Sequence, residues 1–120
     1  MWRVALRDRP EFLAGDHTHL REILHPAKYP LDLGYSLAHG RLSPGQRSKR
    51  HILTSSEVYY FISGQGRFTI NDQVTPIEAG TTVYVQPGGE QYLENTGAVD
   101  IEFLCLVDPA WRAEDETILE

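Results

Sequence analysis

Turn-forming residues interrupt this sequence at short intervals, and this punctuation constrains the fold more than any other feature. Glycine, proline or Asn-Asp separates runs that are rich in β-branched and aromatic residues. Short strands divided in this way are typical of an all-β sandwich or barrel, because βαβ units need helical segments between their strands. The runs predict strands at Tyr35–Leu42, Lys49–Thr54, Glu57–Ser63, Arg67–Ile70, Gln73–Ile77, Thr81–Gln86, Gln91–Asn95 and Asp100–Val107.

The two ends of the chain carry weaker signals. Strand-like stretches around Val4–Leu6 and Thr18–Leu24 precede Pro26 and Pro30, which break regular structure. After the last strand, Glu114–Leu119 is the one window with a helical pattern. No linker or repeat divides the chain, so we expect one domain, 1–120, with a barrel core from about 31 to 107.

Charge and cysteine content exclude several classes of function. Seventeen acidic against eleven basic residues give a net charge of −6, which repels nucleic acid and anionic membranes. The single cysteine, Cys105, permits neither an internal disulfide nor a multi-cysteine zinc site. The longest apolar run, Val58–Ile62, is too short for a signal peptide or a membrane span. We therefore expect a cytoplasmic protein without nucleic-acid or membrane partners.

Two spaced patterns of glycine and polar residues lie within the strand region. The first reads Gly45-x5-His51-x-Leu53-x3-Glu57-x6-Gly64, and the second runs from Gly80 through Gln86-Pro87-Gly88 and Gln91 to Asn95. Together they resemble the two motifs of the cupin superfamily, Gly-x5-His-x-His-x3-Glu-x6-Gly and Gly-x5-Pro-x-Gly-x2-His-x3-Asn. The resemblance covers about Tyr35 to Val107. It implies a cupin double-stranded β-helix (a jelly-roll barrel) with a short N-terminal arm and a C-terminal tail.

The resemblance also implies a metal centre, from which this chain departs. In the family, two histidines and the glutamate of the first motif, with the histidine of the second, hold a divalent metal. Here His51 and Glu57 match, whereas Leu53 and Gln91 replace the other two histidines. Leucine cannot bind a metal, and an amide carbonyl is a weaker ligand than imidazole for transition metals. The resemblance therefore predicts a reduced metal set of His51, Glu57 and Gln91 for Zn, Mn, Ni or Fe.

The same residues have a simpler interpretation without a metal. His51 is then a pocket histidine hydrogen-bonded to Glu57, and Gln91 is a pocket hydrogen-bonding group. Glu57 needs some partner, because burial of an unpaired carboxylate raises its pKa. Glu57 and Tyr59 are the candidates for proton transfer in an enzyme.

Alternation along the strands predicts which side chains fill the barrel. Leu53, Tyr59, Phe61, Leu93 and Phe103 are expected inside. Cys105 alternates with Phe103 and is expected to be a small buried residue.

The positions of residues outside the two motifs are harder to predict from the sequence. His17, His19 and His25 precede the motifs and are expected on the surface or in loops. His39 contacts a ligand only if its strand turns it inwards. Trp111 is expected to pack on the barrel or a partner subunit, or else to close the mouth of the barrel.

Two classes of function remain open. One is a barrel that binds a small polar molecule, around a divalent metal. The other is a metal-dependent enzyme such as a sugar isomerase, an epimerase or a lyase. A dioxygenase is less favoured, since its facial triad needs two histidines and a carboxylate. We also expect a homodimer with Trp2–Leu24 at its interface, because strand-like stretches there lack a partner within the motif region.

Overall fold

The computed structural model describes all residues, 1–120, as eleven strands and two 3₁₀ helices. The helices, Leu6–Asp8 and Ala113–Asp115, have three residues each, and no helix is long and apolar enough to cross a membrane. The strands are β1 (Phe12–Leu13), β2 (His19–Leu24), β3 (Ser36–Leu42), β4 (His51–Leu53), β5 (Ser56–Ser63), β6 (Gly66–Ile70), β7 (Gln73–Ile77), β8 (Thr82–Val85), β9 (Glu90–Asn95), β10 (Ile101–Asp108) and β11 (Glu116–Ile118). The eight strands predicted between residues 35 and 107 all form.

The strands build two antiparallel sheets. The six-stranded sheet has the order β1-β2-β3-β10-β5-β8, and the five-stranded sheet has the order β11-β4-β9-β6-β7. Turn-forming residues in the sequence explain the tight connections between strands. At the β6–β7 hairpin, Asn71 and Asp72 adopt φ values of 48° and 67°, which a two-residue type I′ turn requires and which these residues tolerate.

The core lies between the inward faces of the two sheets. All five residues predicted to fill it, Leu53, Tyr59, Phe61, Leu93 and Phe103, are 6% exposed or less. Each would contribute roughly 1.5–3 kcal/mol through burial. This part of the prediction is confirmed, because the period of two along each strand directly sets the direction of its side chains.

The aromatic packing requires one glycine on β3. Gly40 lies opposite Phe103 of β10, and a Cβ at Gly40 would sit 2.2 Å from the nearest carbon of that ring. The ring of Phe103 therefore occupies the space that any other residue at this position would need.

Both ends of the chain differ from the sequence expectation. The helix predicted at Glu114–Leu119 is wrong, because β11 pairs with β4 instead. A helix this short is marginal, whereas the edge of β4 offers a ready backbone ladder. The weak strand expected at Val4–Leu6 is also wrong, since a 3₁₀ turn begins at Leu6.

The N-terminal arm finds its partner within its own chain. Strand β2 pairs antiparallel with β3, and β1 pairs with β2. The expected dimer interface at Trp2–Leu24 was inferred from strands without a partner, and that argument no longer holds. Together with β11, the arm extends the two sheets beyond the predicted 31–107 core.

Candidate functional site

A cavity of about 240 Å³ opens at one end of the barrel. Its walls come from β3, β5 and β10, from His51 of β4, from the N-terminal arm and from the segment after β10. Ten of the nineteen lining residues are hydrophobic. The interior can therefore hold a molecule that has both apolar and polar parts.

A chain of buried hydrogen bonds borders the cavity. The hydroxyl of Tyr59 donates to Oε1 of Gln91 at 2.8 Å, and Nε2 of Gln91 donates to Oε1 of Glu57 at 2.8 Å. The thiol of Cys105 donates to the other carboxylate oxygen of Glu57. Each polar group in this chain thus has a partner, as buried groups require.

Strand register brings these side chains together. Glu57 and Tyr59 lie two positions apart on β5 and point to the same side. Cys105 of β10 lies directly opposite Tyr59, and Gln91 of β9 lies directly opposite His51 of β4. The structure therefore brings together all the predicted site residues, His51, Glu57, Tyr59 and Gln91, although Gln91 is fully buried behind the cavity wall.

Burial raises the pKa of all three titratable groups in this chain of hydrogen bonds. Desolvation raises the pKa of Glu57 above its ordinary range, although the Cys105 and Gln91 hydrogen bonds and the nearby His51 oppose the shift. Burial raises the pKa values of Tyr59 and Cys105 well above their ordinary values, and the Glu57 carboxylate adds to both shifts. Tyr59 and Cys105 therefore remain protonated at neutral pH and act as hydrogen-bond donors.

His51 presents a free ring nitrogen to the cavity. Its Nδ1 lies 2.8 Å from the backbone oxygen of Lys49, so Nδ1 carries a hydrogen, and Nε2 is an acceptor whenever the ring is neutral. The side chain is 4% exposed, and Nε2 makes no hydrogen bond. The nearest charged group is Oδ2 of Asp16, at 3.8 Å. The bond from His51 to Glu57 that the interpretation without a metal predicts is absent, and His51 bonds Lys49 instead.

Asp16 is a site residue that sequence reasoning missed. Its Oδ1 accepts hydrogen bonds from the backbone N–H of Thr18 at 3.0 Å and from the Thr18 hydroxyl at 2.7 Å. This local turn leaves Oδ2 free to face His51. The Asp-x-Thr pattern indicates such a turn, but no sequence signal indicates that the turn folds over the barrel mouth.

Two further carboxylates at the cavity were also missed. Glu22 of β2 has its Oε1 2.7 Å from Nζ of Lys28, yet no hydrogen-bond donor is directed at that oxygen and it is buried. Glu116 of β11 accepts a hydrogen bond from Nε1 of Trp111 at 3.2 Å. Trp111 itself lines the cavity, so this large aromatic forms part of the mouth.

The other histidines do not reach the cavity. His17 is exposed in a turn, and His19 of β2 lies 3.7 Å from Glu11. His25 lies in a loop, one of the two expected locations, but it is buried there, and its Nε2 lies 2.8 Å from the Trp111 carbonyl oxygen. His39 faces away from the cavity side of β3, and its Nε2 lies 3.0 Å from Glu102.

The donor set does not fit a resident metal in this arrangement. No three His, Cys, Asp or Glu side chains lie close enough together to hold an ion. Leu53 offers only a buried aliphatic group, and the Gln91 carbonyl already accepts from Tyr59. A metal at His51, Glu57 and Gln91 would have to replace existing hydrogen bonds.

Comparison with known families decides which barrel this is. Residues 38–107, more than half of the chain, match the cupin domain family. The chain is a cupin. The expected family and the all-β jelly-roll fold class are therefore confirmed.

Two sequence relatives and one solved structure of the same fold are similar to this cupin. A Methanocaldococcus jannaschii protein described as uncharacterized is 33% identical over 110 residues, which is 91% of this cupin and 87% of that protein. The oxalate-binding protein of Thermotoga maritima is 35% identical over 68 residues, 56% of each chain. A Streptomyces PAC13 variant solved with uridine has a TM-score of 0.80 at 21% identity, and the match covers 100% of this cupin and 91% of that chain.

Proposed function

We propose that this cupin binds a small polar organic molecule in its cavity by direct hydrogen bonds. The observation that carries this is the free Nε2 of His51, on a side chain that is only 4% exposed but lines the cavity. Because this atom faces the cavity, a ligand donor can reach it and form a hydrogen bond that the protein itself does not supply. The relationship to an oxalate-binding protein supports binding of a small molecule as the general class.

An acid–base enzyme is a second candidate, supported by the same histidine. The bond to Lys49 fixes the tautomer of His51, which leaves Nε2 able to accept a proton from a bound substrate. Glu57 and Tyr59, the proposed catalytic pair, lie in one hydrogen-bonded chain through Gln91. Isomerisation, epimerisation and elimination all need such a proton acceptor, so these reaction classes remain proposals for this cavity.

A fragment screen with a cavity-filling variant tests binding. Ala38 lines the cavity and Ala79 lies in an exposed turn, so Ala38→Phe fills the site while Ala79→Phe leaves it open. Saturation-transfer NMR is expected to detect fragments with the wild type and with Ala79→Phe but not with Ala38→Phe. Signals that persist in Ala38→Phe would place binding elsewhere and overturn the proposal.

A divalent metal at His51, Glu57 and Gln91 would require the present hydrogen bonds to rearrange, and it has its own test. Protein purified without chelators or a histidine tag is assayed for Zn, Mn, Ni and Fe by mass spectrometry. Near-unit occupancy would support the metal, and none would argue against it. Leu53→His adds an imidazole on the His51 face of β4, so a converging site predicts higher zinc affinity in that variant.

The homodimer also remains a proposal, with a different interface. Three large residues project from the outer face of β5 and the edge strand β8: Tyr60 is 47% exposed, Ile62 44% and Tyr84 59%. Adjacent exposed apolar groups are typical of association surfaces, and a second copy would cover the β8 edge. Sedimentation equilibrium is expected to give a dimer that Tyr84→Lys dissociates. A wild-type monomer at micromolar concentration would refute it.

A further inference from the structure

The polar atoms that remain free around the cavity are mostly hydrogen-bond acceptors. His51 Nε2 and Asp16 Oδ2 receive no hydrogen bond from the protein, whereas Oε1 of Glu22 already lies 2.7 Å from the Lys28 ammonium. Glu116 uses only Oε2, in its bond from Trp111. A ligand that satisfies these atoms must supply donors.

The charge of the cavity lining also favours a ligand that supplies hydrogen-bond donors. Four carboxylates, Asp16, Glu22, Glu57 and Glu116, line it, against one lysine, Lys28. That ammonium group already lies beside Glu22 and its side chain is 60% exposed. Like charges in a partly desolvated site repel strongly, so a dicarboxylate would be disfavoured here.

Four of the ten hydrophobic lining residues are aromatic. Phe12, Tyr59, Phe103 and Trp111 contribute rings to the walls. Aromatic faces attract organic cations, and they also pack against the apolar body of a ligand. Carboxylates and rings together therefore suit an ammonium group attached to an apolar body.

We propose, building on the proposed binding function, that the ligand is a small organic amine in its protonated form. The free acceptors of Asp16 and His51 receive its N–H donors, the negative charge of Glu22 and Glu116 attracts it, and the ring of Trp111 packs on its apolar part. Asp16, Glu22, Trp111 and Glu116 all lie outside residues 38–107, the segment that matches the cupin family. The N- and C-terminal segments outside the family match thus set the ligand selectivity of a barrel that the family has in common.

Three probes of nearly equal shape but different charge test this inference. 2-Phenylethylamine, 2-phenylethanol and phenylacetate are titrated calorimetrically at pH 7 in the presence of EDTA, which removes metal ions. The amine is expected to bind about tenfold more tightly than the alcohol, a difference of about 1.4 kcal/mol, since hydrogen bonds to charged groups are stronger than those between neutral groups. Phenylacetate is expected to bind most weakly.

Variants identify the group that recognises the amine. Glu22→Gln and Glu116→Gln each remove one negative charge from the wall, and both are expected to reduce amine affinity severalfold while leaving alcohol affinity unchanged. Glu78→Gln, in an exposed position remote from the cavity, is the control for net charge. Thermal melting checks that each variant is folded.

The outcomes separate this inference from the proposed function. Equal affinity for the three probes, preference for phenylacetate, or no binding of the amine would overturn the amine assignment. If the fragment screen still finds neutral or anionic ligands that Ala38→Phe abolishes, the cavity is a binding site for another class of molecule. If Ala38→Phe abolishes no fragment signal, the binding function itself fails.

Discussion

The hydroxyl of Tyr59 donates a hydrogen bond to Oε1 of Gln91 across the barrel interior, at 2.8 Å. This contact fixes the orientation of the Gln91 amide, so that its NH₂ group is turned towards Glu57. The position at which the family places a metal-binding histidine therefore holds an amide that links two other side chains. In this arrangement Gln91 acts as a structural hydrogen-bonding group.

Tyr59→Phe tests the strength of this contact. The substitution leaves the carbonyl of Gln91, a fully buried residue, without a donor, so we expect the free energy of unfolding to fall by about 1–3 kcal/mol. Urea denaturation measures the loss. Tyr35→Phe is the control, because Tyr35 is 38% exposed and its change is expected to stay within about 0.5 kcal/mol. Equal effects would mean that the Tyr59–Gln91 bond does not stabilise the fold.

The raised pKa of Glu57 predicts a pH dependence of stability. A carboxyl group whose pKa is higher in the folded state binds its proton more tightly there, and therefore stabilises the fold when protonated. This contribution is lost as pH rises from the ordinary value of 4.5 through the raised pKa of Glu57. Glu57→Gln removes the titration, so its stability relative to wild type is expected to increase with pH over that window.

Denaturation curves measured across the acid-to-neutral range check this expectation, with Glu78→Gln as the exposed control. A wild-type and Glu57→Gln difference that does not change with pH would show that the Glu57 pKa is the same in the folded and unfolded states.

Cys105 is expected to react slowly with alkylating reagents. Burial and the neighbouring Glu57 charge raise the pKa of its thiol, and the thiolate is the reactive form. Iodoacetamide at pH 8 should therefore modify the urea-unfolded chain much faster than the folded one. Glu57→Gln removes the charge contribution and is expected to increase the folded-state rate. Mass spectrometry follows the reaction, and no increase in Glu57→Gln would contradict the proposed coupling.

Gly40→Ala tests the packing of β3 against Phe103. The new Cβ would lie 2.2 Å from a ring carbon, so the ring must move, and overpacking of this kind costs about 1–3 kcal/mol. Gly34→Ala is the matched control, because nothing lies within 4 Å of a Cβ at that position. Thermal unfolding is expected to shift down for Gly40→Ala only. A shift of the same size in both variants would mean that loss of glycine, rather than the clash, is responsible.

The barrel and its buried residues could be predicted because local rules govern them. Turn residues such as Asn71 and Asp72 mark strand ends, and alternation places Phe61 and Phe103 inside regardless of which strands pair. Motif spacing likewise indicated that His51, Glu57 and Gln91 lie in one barrel.

The hydrogen-bond partners within the site could not be predicted from such local rules. The interpretation without a metal had His51 bond Glu57, but the structure bonds His51 to Lys49 and gives Glu57 the donors of Gln91 and Cys105. A buried side chain often has several possible hydrogen-bond partners nearby. Distances that differ by a few tenths of an ångström decide which of them it bonds, and the spacing of residues along the chain does not specify these distances.

The sequence by itself determined the all-β fold, the cupin motifs and the replacement of two metal-binding histidines by Leu53 and Gln91. Only the tertiary structure decided that the chain ends complete the cavity. Asp16, Glu22 and Glu116 are far from the motifs in sequence, and they reach the barrel mouth because β2 pairs with β3 and β11 pairs with β4. The physical reason is that an edge strand can bond any extended segment through its backbone, irrespective of side-chain identity.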